Sequence, residues 1–291
     1  QRGDKMTDIG EGSIVNFPLA GDVKIKDLIG SGGSSFVYSA ENKQKEFLAV
    51  KIVRANTMEN GLTPRVSKEV NNQLSPSPLI IRPVDHTVVL SYGLHVPCIL
   101  FPHVDGQELA DFITNEPPSP AGLKKRLLVA EKMAQALLHV HDEAYIHGDI
   151  SIKNFLVESE TDKVYLIDFE TLTHVNDTKL KGRWANSDYM APEVDQHGGR
   201  AISQATDIWS FGLILVEWLA PQVWELDELD KGWAAKFNQR KRDGEEDVTR
   251  SIISRPSPPG LEHIWPWIVD SLCIDSRSRP SLKELIALFR R

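Results

Sequence analysis

Short apolar runs separated by glycine, asparagine and proline fill residues 23–101 of the chain. β-Branched and aromatic residues dominate these runs, which is the pattern of strands in a small twisted sheet. Residues 65–74 differ, because apolar residues recur there at four-residue spacing and leave Glu69 on the flank. The pattern predicts an N-terminal β-sheet that is interrupted by one short amphipathic helix.

Most of the remaining chain has helical spacing. Residues 123–142 place apolar side chains on one broad face, and residues 203–219 are so apolar that we expect a buried central helix. The chain closes at residues 281–290 with Ser281 as a helix N-cap and Glu284 three positions later, which is the arrangement of a capping box. The second part of the chain is therefore predicted to be mainly helical.

Three polar residues flank two short strand-like runs between these helices. Asp149 and Asn154 precede the run at residues 155–157, and Asp168 follows the run at residues 164–167. Two such strands would place all three polar groups at one edge. An aspartate that orients a hydroxyl, an asparagine that holds a metal and a second aspartate at a strand end are the parts of a phosphoryl-transfer centre.

Composition and charge restrict the class of protein. The 291 residues are 41% hydrophobic and 25% charged, which is ordinary for a soluble globular protein of one large domain or two lobes. A formal net charge of -8 and a pI near 5.6 argue against a nucleic-acid-binding surface. The apolar run at residues 211–215 is soon broken by Glu217, and the N-terminus lacks the apolar core of a signal peptide. We expect no nucleic-acid partner and no membrane segment in this chain.

The two cysteines indicate the compartment. Cys98 and Cys273 lie far apart in apolar surroundings, which favours two buried reduced thiols over a disulfide. We therefore expect an intracellular, cytoplasmic location. Because the first residue is Gln, we also expect a piece of a longer polypeptide, with regulatory domains outside it.

A glycine-rich stretch and a strand lysine lie upstream. Gly30, Gly32 and Gly33 stand between two strand-like runs, where a hairpin could lay backbone N–H groups over phosphates. An ordinary Gly/Ser hairpin turn is the alternative. Lys51 lies in an otherwise apolar strand and needs a partner or a wet cleft. Glu69 is the obvious partner.

The order of these features over residues 23–290 resembles that of the eukaryotic protein kinase superfamily. The shared motifs are a glycine-rich loop, Ala-Val-Lys, a helix Glu, His-x-Asp with Asn five positions on, Asp-Phe, Tyr-x-Ala-Pro-Glu, Asp-x-Trp-Ser-x-Gly and a late Arg before Pro. The resemblance implies a bilobal α+β fold with a small N-terminal β-sheet lobe carrying one helix and a larger helical C-terminal lobe. It implies an N-terminal extension (1–22), an N-lobe with hinge (23–104) and a C-lobe (105–291).

The same resemblance implies ATP and Mg²⁺ as cofactors and gives each motif residue a role. Lys51 would bind the α- and β-phosphates and pair with Glu69. Asp149 would accept or orient the proton of the acceptor hydroxyl, while Asn154 and Asp168 would hold Mg²⁺. Catalysis would then consist mainly of positioning and charge compensation.

The nucleotide is further implied to contact the glycine-rich loop and the hinge. In the hinge, Phe101 would be the gatekeeper, and the Pro102 carbonyl and the Val104 backbone would face adenine. A plain edge-strand proline is the alternative for Pro102. The implied loop contacts are Gly30, Gly32, Gly33 and Val37.

Three further residues are implied to stabilise the fold. Glu193 would pair with Arg279, and Asp207 would anchor the loop that carries Asp149. None of the three would take part in the chemistry.

The catalytic loop departs from the family pattern at Gly148. Many kinases carry an Arg here that receives a phosphorylated residue of the activation segment. We therefore expect activity without such phosphorylation, so that alanine at Thr171, Thr173 and Thr178 together would leave turnover intact.

A second departure concerns the lysine of the catalytic loop. Ser151 replaces the Lys that Ser/Thr kinases place two positions after the catalytic Asp, but Lys153 lies four positions after it. Its charge would reach the γ-phosphate and make it a catalytic residue. A surface charge is the alternative.

Three more departures bear on activity: Glu170 replaces the usual Gly after Asp-Phe, Ser35 takes the third glycine position, and Asn186 replaces a Thr that contacts the catalytic Asp. These keep a pseudokinase scaffold open as an alternative to the leading hypothesis, an ATP-dependent kinase of protein Ser/Thr hydroxyls. A small-molecule phosphotransferase is a third hypothesis, because such enzymes often contain His-Gly-Asp and Asp-Phe-Glu. The Ala-Pro-Glu segment argues for a protein substrate instead.

Overall fold

The computed structural model describes residues 9–54, 63–113, 119–158, 160–177, 189–197, 202–221 and 256–291. The chain divides into two compact units, Gln1–Pro76 with Ile81–Asp105 and Ser77–Ile80 with Gly106–Arg291. A β-sheet dominates the first unit and helices dominate the second. The predicted α+β fold class is confirmed.

The first unit is built on one antiparallel sheet with the strand order β1-β2-β3-β4-β6-β5. Its core consists of aliphatic side chains that alternate along the strands and lie on the buried face, such as Val23, Ile25, Val50 and Ile52. The strands are β1 (Ile14–Phe17), β2 (Gly21–Ser31), β3 (Ser35–Asn42), β4 (Phe47–Val53), β5 (Asp85–Ser91) and β6 (Leu94–Pro102).

Strand β1 lies within the segment that the sequence assigned to an extension. It pairs with β2 over Ile14 to Phe17, and its residues alternate between exposed and buried. The buried Asp85 carboxylate, at the start of β5, accepts the backbone N–H groups of Leu19 at 2.6 Å and Ala20 at 2.9 Å. The turn after β1 is thereby fixed to the other edge strand of the same sheet.

Helix α1 (Pro64–Val70) is shorter than the predicted helix over residues 65–74. It begins at its N-cap Thr63, whose hydroxyl accepts the Val66 N–H at 3.3 Å. The helix ends early, with Asn71 as its C-cap. The next residue, Asn72, accepts the Leu74 N–H with its side chain at 2.9 Å, and this local bond competes with the helical one. Leu74 is fully buried although it lies outside the helix.

The second unit contains five helices among its described residues. The long α2 begins three residues before the prediction, because Ser119 caps it at Gly122 N–H. The predicted central helix is confirmed as α4, whose residues are buried from Thr206 to Leu219. The helices are α2 (Pro120–Asp142), α3 (Pro192–His197), α4 (Gln204–Leu219), α5 (Trp265–Ser271) and α6 (Leu282–Phe289).

Two small sheets and two 3₁₀ turns complete this unit. Strands β7 (Gln107–Glu108), β9 (Phe155–Val157) and β10 (Val164–Leu166) form one sheet in the order β10-β9-β7. Strands β8 (Tyr145–Ile146) and β11 (Thr173–His174) form the other. The two strand-like runs that flank the polar residues are therefore paired strands, as predicted. The 3₁₀ turns are Leu109–Phe112 and Ser276–Ser278.

The capping box of α6 is confirmed, since Ser281 N–H donates to Glu284 Oε2 at 2.6 Å and Glu284 N–H donates to Ser281 Oγ at 3.3 Å. Both cysteines are free, but only Cys98 is buried and Cys273 is half-buried, which corrects the prediction of two buried thiols. None of the described helices has the length and apolar character needed to cross a membrane. Thr178 and Asn186 lie outside the described residues.

Candidate active site

In the first unit, the structure pairs Lys51 of β4 with Glu69 of α1. Lys51 Nζ lies 2.8 Å from Glu69 Oε2 and 3.1 Å from Oε1. The two residues are 7% and 1% exposed. A buried charge is costly unless it is paired, so each side chain stabilises the other in its position. The pairing predicted from the strand lysine is present.

The glycine-rich stretch forms the hairpin between β2 and β3. It is closed by a hydrogen bond from Gly32 N–H to the Ser35 carbonyl at 2.9 Å. None of Gly30, Gly32 and Gly33 has a φ in the left-handed region, and a Cβ built on Gly33 would meet no atom within 4 Å. The packing of the chain therefore does not require glycine there. Open backbone of this kind fits a ligand that approaches the N–H groups closely.

The segment predicted to be the hinge begins at the end of β6. Phe101 lies opposite Ala49 of β4 and packs against the apolar cluster of Val53, Val66 and Ile99. Pro102 is the last residue of the strand. Within the described part of the chain, the N–H and C=O of Val104 form no hydrogen bond with other residues, which leaves both groups for a ligand.

In the second unit, Asp207 of α4 holds the loop that precedes Asp149. Its carboxylate accepts the backbone N–H of His147 at 2.8 Å and that of Gly148 at 2.9 Å. The ring Nε2 of His141, at the end of α2, lies 2.9 Å from the same carboxylate. Asp207 is 1% exposed. The predicted anchoring role of Asp207 is present, and His141, which sequence reasoning left out of the site, supports it.

His147 connects this loop to the strand end that carries Asp168. Its Nε2 lies 3.1 Å from the Ile167 carbonyl, and its Nδ1 lies 3.3 Å from the Asp149 N–H. Nδ1 must accept from that N–H, so Nε2 carries the proton and the ring is neutral. Burial lowers the pKa of His147 below its usual range, against the opposing effect of the Asp207 charge. Both observations indicate a neutral ring, and the hydrogen bonds assign the proton to Nε2.

Asn154 lies at the far end of the same loop. Its Nδ2 donates to the Asp149 carbonyl at 2.6 Å, and its backbone carbonyl accepts the Ile167 N–H at 3.0 Å. Asn154 is 7% exposed, and its Oδ1 has no hydrogen-bond partner among the residues that the structure describes. An amide held by its nitrogen presents its oxygen, which is the atom that a hard cation binds.

Asp168 adopts an unusual backbone conformation. Its φ of 65° lies in the left-handed region, which non-glycine residues rarely adopt and which costs about 1 kcal/mol or more. Asp tolerates this region better than most residues. Such strain is concentrated at functional sites, so it supports the assignment of Asp168 to the site.

Residues after Asp168 are fixed to the catalytic loop. Strand β11 pairs with β8, and the Val175 N–H donates to the Ala144 carbonyl at 2.9 Å. The buried Thr171 donates its hydroxyl to the His147 carbonyl at 2.6 Å, and the buried Thr173 donates to the Thr171 carbonyl at 2.8 Å. Both hydroxyls serve internal hydrogen bonds.

The Glu193–Arg279 pair is also present. Arg279 Nη1 and Nη2 each lie 2.7 Å from an oxygen of Glu193, which is a bidentate pair. The Arg279 Nε donates to the Cys273 carbonyl at 2.9 Å, and its guanidinium lies 5.1 Å from the centre of the Trp209 ring. The pair therefore fixes the start of α3 to the segment before α6.

Comparison with known proteins identifies the family. The family model described as protein kinase domain matches residues 23–288. The chain belongs to the protein kinase family. The motif resemblance is thereby confirmed.

Proteins similar to this kinase include a probable serine/threonine-protein kinase, a MAP kinase kinase kinase and a mitogen-activated protein kinase kinase. It is 27% identical over 265 residues to a probable serine/threonine-protein kinase KIN1 homolog of Encephalitozoon cuniculi, covering 86% of this chain and 46% of the relative. It is 24% identical over 292 residues to MAP kinase kinase kinase mkh1 of Schizosaccharomyces pombe, covering 96% and 25%. It is 25% identical over 276 residues to Mitogen-activated protein kinase kinase 1 of Arabidopsis thaliana, covering 91% and 73%. The kinase chain thus spans less than half the length of the first two relatives.

Lys153, four positions after Asp149 in the catalytic loop, is exposed. The 3₁₀ turn next to it is joined to the loop by a hydrogen bond from Ala110 N–H to the Ile152 carbonyl at 3.2 Å. Burial and the nearby Asp111 raise the pKa of Glu108, and the charge of Lys153 acts in the opposite direction. The charge of Lys153 therefore acts on the Glu108 carboxylate.

Sequence reasoning missed two contributors to this kinase site, His141 and Thr171. Both act through hydrogen bonds that join elements distant in sequence, and neither breaks an apolar pattern. The sequence marks Thr171 only as one of three threonines whose alanine variants would test whether phosphorylation is needed. The side-chain hydrogen bonds of Thr171 and Thr173 correct that test, because alanine at either residue removes an internal bond whether or not phosphorylation matters.

Proposed function

We propose that this kinase transfers the γ-phosphate of ATP to Ser/Thr hydroxyls of protein substrates. The observation that carries the proposal is the bond of 2.6 Å from Asn154 Nδ2 to the Asp149 carbonyl. It joins the candidate base and the candidate metal ligand in one short loop, and because the amide nitrogen is the bonded atom, Asn154 Oδ1 is the atom that could bind a metal. The names of the relatives support the Ser/Thr class.

Protein kinases generally use ATP and Mg²⁺, and the residues of this chain fit both. Asn154 Oδ1 and the Asp168 carboxylate are oxygen donors, which Mg²⁺ prefers. The bound metal neutralises charge that develops on the phosphates. Asn154 and Asp168 would hold it, and their positions are stabilised by the hydrogen bonds of the Asn154 side chain and backbone.

The first unit supplies candidate contacts for the nucleotide. The hairpin at Gly30, Gly32 and Gly33 would present N–H groups to phosphate oxygens, with Val37 beneath the base. Lys51, fixed by Glu69, would bind the α- and β-phosphates. The Pro102 carbonyl and the Val104 backbone would bind the adenine edge, which agrees with the unbonded groups of Val104.

Asp149 would orient the acceptor hydroxyl and accept its proton. The backbone of its loop is fixed by Asp207, and its own N–H donates to His147 Nδ1, so the carboxylate is presented by a rigid segment. Lys153 would supply a positive charge to the transferring phosphate. Its charge lowers the pKa of Glu108 against the larger effect of burial, which supports a role for this charge near the loop.

We also propose that activity does not require phosphorylation of the activation segment. Gly148 has no side chain that could bind a phosphate. The start of the segment is instead joined to the catalytic loop by the pairing of β11 with β8.

The boundaries proposed for the kinase are an extension over residues 1–22, an N-lobe with hinge over 23–104 and a C-lobe over 105–291, with regulatory domains outside this chain.

The test is transfer of labelled γ-phosphate from MgATP to a generic protein substrate, with Asp149→Asn as the matched variant. Asp149→Asn preserves shape and removes the carboxylate. We expect protein labelling by the parent chain and a fall of about 10²–10⁴-fold in the variant. Equal circular dichroism spectra would show that both are folded.

Two results would contradict the proposal. A folded parent chain that binds MgATP without labelling protein would favour the pseudokinase hypothesis. ATP consumption that depends on a small-molecule acceptor pool, with no label on protein, would favour a small-molecule phosphotransferase.

A further inference from the structure

Thr171 makes a side-chain hydrogen bond that crosses from the segment after Asp168 to the catalytic loop. Its Oγ1 lies 2.6 Å from the His147 carbonyl oxygen. Thr171 is 6% exposed and His147 is fully buried, so water does not compete effectively for either atom. The hydroxyl of this buried residue therefore has an internal acceptor.

The acceptor of this bond is closely linked to Asp149. The backbone N–H of His147 is held by Asp207, and its ring accepts the Asp149 N–H and faces the Ile167 carbonyl. The His147 carbonyl is the remaining polar group of this residue, and Thr171 is the partner that fixes it. Every polar group of His147 is thus bonded to a part of the candidate active site.

The backbone beside this carbonyl has unusual freedom. Gly148 follows His147 with a φ of 81°, a conformation that glycine adopts readily and from which it can also depart readily. Asp149 comes directly after it. The Thr171 bond to the His147 carbonyl and the Asp207 bond to the Gly148 N–H hold both polar groups of the peptide between His147 and Gly148, so the rotation of this peptide is restricted.

We propose that Thr171 is a positioning residue of this kinase, whose hydroxyl fixes the orientation of the peptide before Gly148 and thereby that of Asp149. The proposal rests on the phosphotransfer activity proposed above. The first residues after Asp168 would then help to hold Asp149, the candidate base, in position. Gly148 has no side chain that could join the catalytic loop to the segment after Asp168. The neutral hydroxyl of Thr171 joins them instead.

Two substitutions at residue 171 and one at residue 173 test this role. Thr171→Val keeps the shape and removes the hydroxyl, whereas Thr171→Ser keeps the hydroxyl. Thr173→Val is the matched control, because it removes a buried threonine hydroxyl whose bond of 2.8 Å reaches the Thr171 carbonyl and not the catalytic loop. Steady-state kcat and KM for MgATP would be measured for folded protein, together with amide hydrogen exchange of residues 147–154.

We expect Thr171→Val to lower kcat about tenfold with KM for MgATP nearly unchanged. Thr171→Ser and Thr173→Val should retain kcat within about twofold. Hydrogen exchange in residues 147–154 should be about tenfold faster in Thr171→Val than in Thr173→Val. Equal kcat and equal exchange in the two valine variants would overturn the proposal, because both would then report only a loss of stability.

Two further results keep the test decisive. If Thr171→Val does not fold, Thr171→Cys replaces it: its weaker donor should give a kcat between those of the parent chain and the expected valine value, and a parental kcat would overturn the proposal. If the parent chain transfers no phosphate, the proposed function fails, and the exchange comparison alone decides whether Thr171 fixes the catalytic loop.

Discussion

Gly212 of α4 packs directly on Ser271 of α5. A Cβ built on Gly212 would overlap Ser271 Oγ, and it would lie 3.0 Å from the Ser271 Cβ and 3.3 Å from a methyl carbon of Leu272. Both helices are buried at this point, and Ser271 is fully enclosed. Any side chain at residue 212 would therefore force the two helices apart.

Gly212→Ala should lower the free energy of unfolding by about 1–3 kcal/mol, because the new methyl group overpacks this contact. Urea denaturation of the parent and variant would measure the loss. Ser271→Gly removes the obstructing atoms, so the double variant should recover a large part of it. Gly33→Ala is the control, since its Cβ would meet no atom within 4 Å. Equal losses for Gly212→Ala with and without Ser271→Gly would contradict the packing argument.

The Lys51–Glu69 pair gives a second prediction. Lys51→Met or Glu69→Met alone removes the ion pair but keeps the other buried charge, which should cost about 3 kcal/mol or more. The double methionine variant removes both charges and should be more stable than either single variant. Urea unfolding of all four proteins would give the coupling energy. Additive losses in the double variant would show that the pair is not the main interaction of these side chains.

His147 gives a prediction on pH. Its folded-state pKa is lowered by burial, so it lies below the unfolded value of about 6.5. The unfolded state then binds more protons as the pH falls through that value, and the stability that the neutral ring contributes, full above pH ~6.5, is lost below it. ¹⁵N NMR of the imidazole at pH 7 should show a neutral ring protonated on Nε2. An imidazolium, or a proton on Nδ1, would contradict the hydrogen-bond assignment.

The sequence predicted the charged contacts of the site well, for a physical reason. Lys51 lies in an apolar strand, where a charge must have a partner, and Glu69 is that partner in the structure. The partners of Asp207 and Arg279 followed instead from the resemblance of the motifs to protein kinases, and both contacts are present. Helices α4 and α6 were also predicted correctly, because their apolar faces and caps are local signals.

Other contacts leave no local signal. Asp85 accepts the N–H groups of Leu19 and Ala20, which precede it by 66 and 65 positions. Thr171 donates to a carbonyl that precedes it by 24 positions. Such side-chain to backbone bonds depend on which elements the fold brings together, and neither residue type is unusual in its own segment. The end of α1 was missed for a different reason. The apolar spacing continues to Leu74, but a single local bond from the Leu74 N–H to the Asn72 side chain competes with the helical bond.

Phe101 gives a prediction on ligand size. Its ring packs against Val53, Val66 and Ile99, so removing it should open space beside the candidate adenine contacts. Phe101→Gly should improve binding of adenine analogues with a bulky substituent by about tenfold or more, relative to the parent chain. Inhibition constants against a matched pair of small and enlarged analogues would show the change. Leu90→Gly is the control, because Leu90 is 66% exposed and pairs with His95, at the opposite end of β6 from Phe101. No gain for Phe101→Gly would show that residue 101 does not close the pocket.

Lys153 gives the last prediction, on the chemical step. If its charge stabilises the transferring phosphate, Lys153→Ala should lower kcat about tenfold to a hundredfold while KM for MgATP changes little, because the interaction forms mainly in the transition state. Lys153→Arg should retain much of the rate, since it keeps the charge. Lys163→Ala is the control, because Lys163 is an exposed lysine whose partner, Glu158, lies 3.6 Å away on the β9–β10 hairpin. Parental turnover in Lys153→Ala would make Lys153 a surface charge that acts only on Glu108.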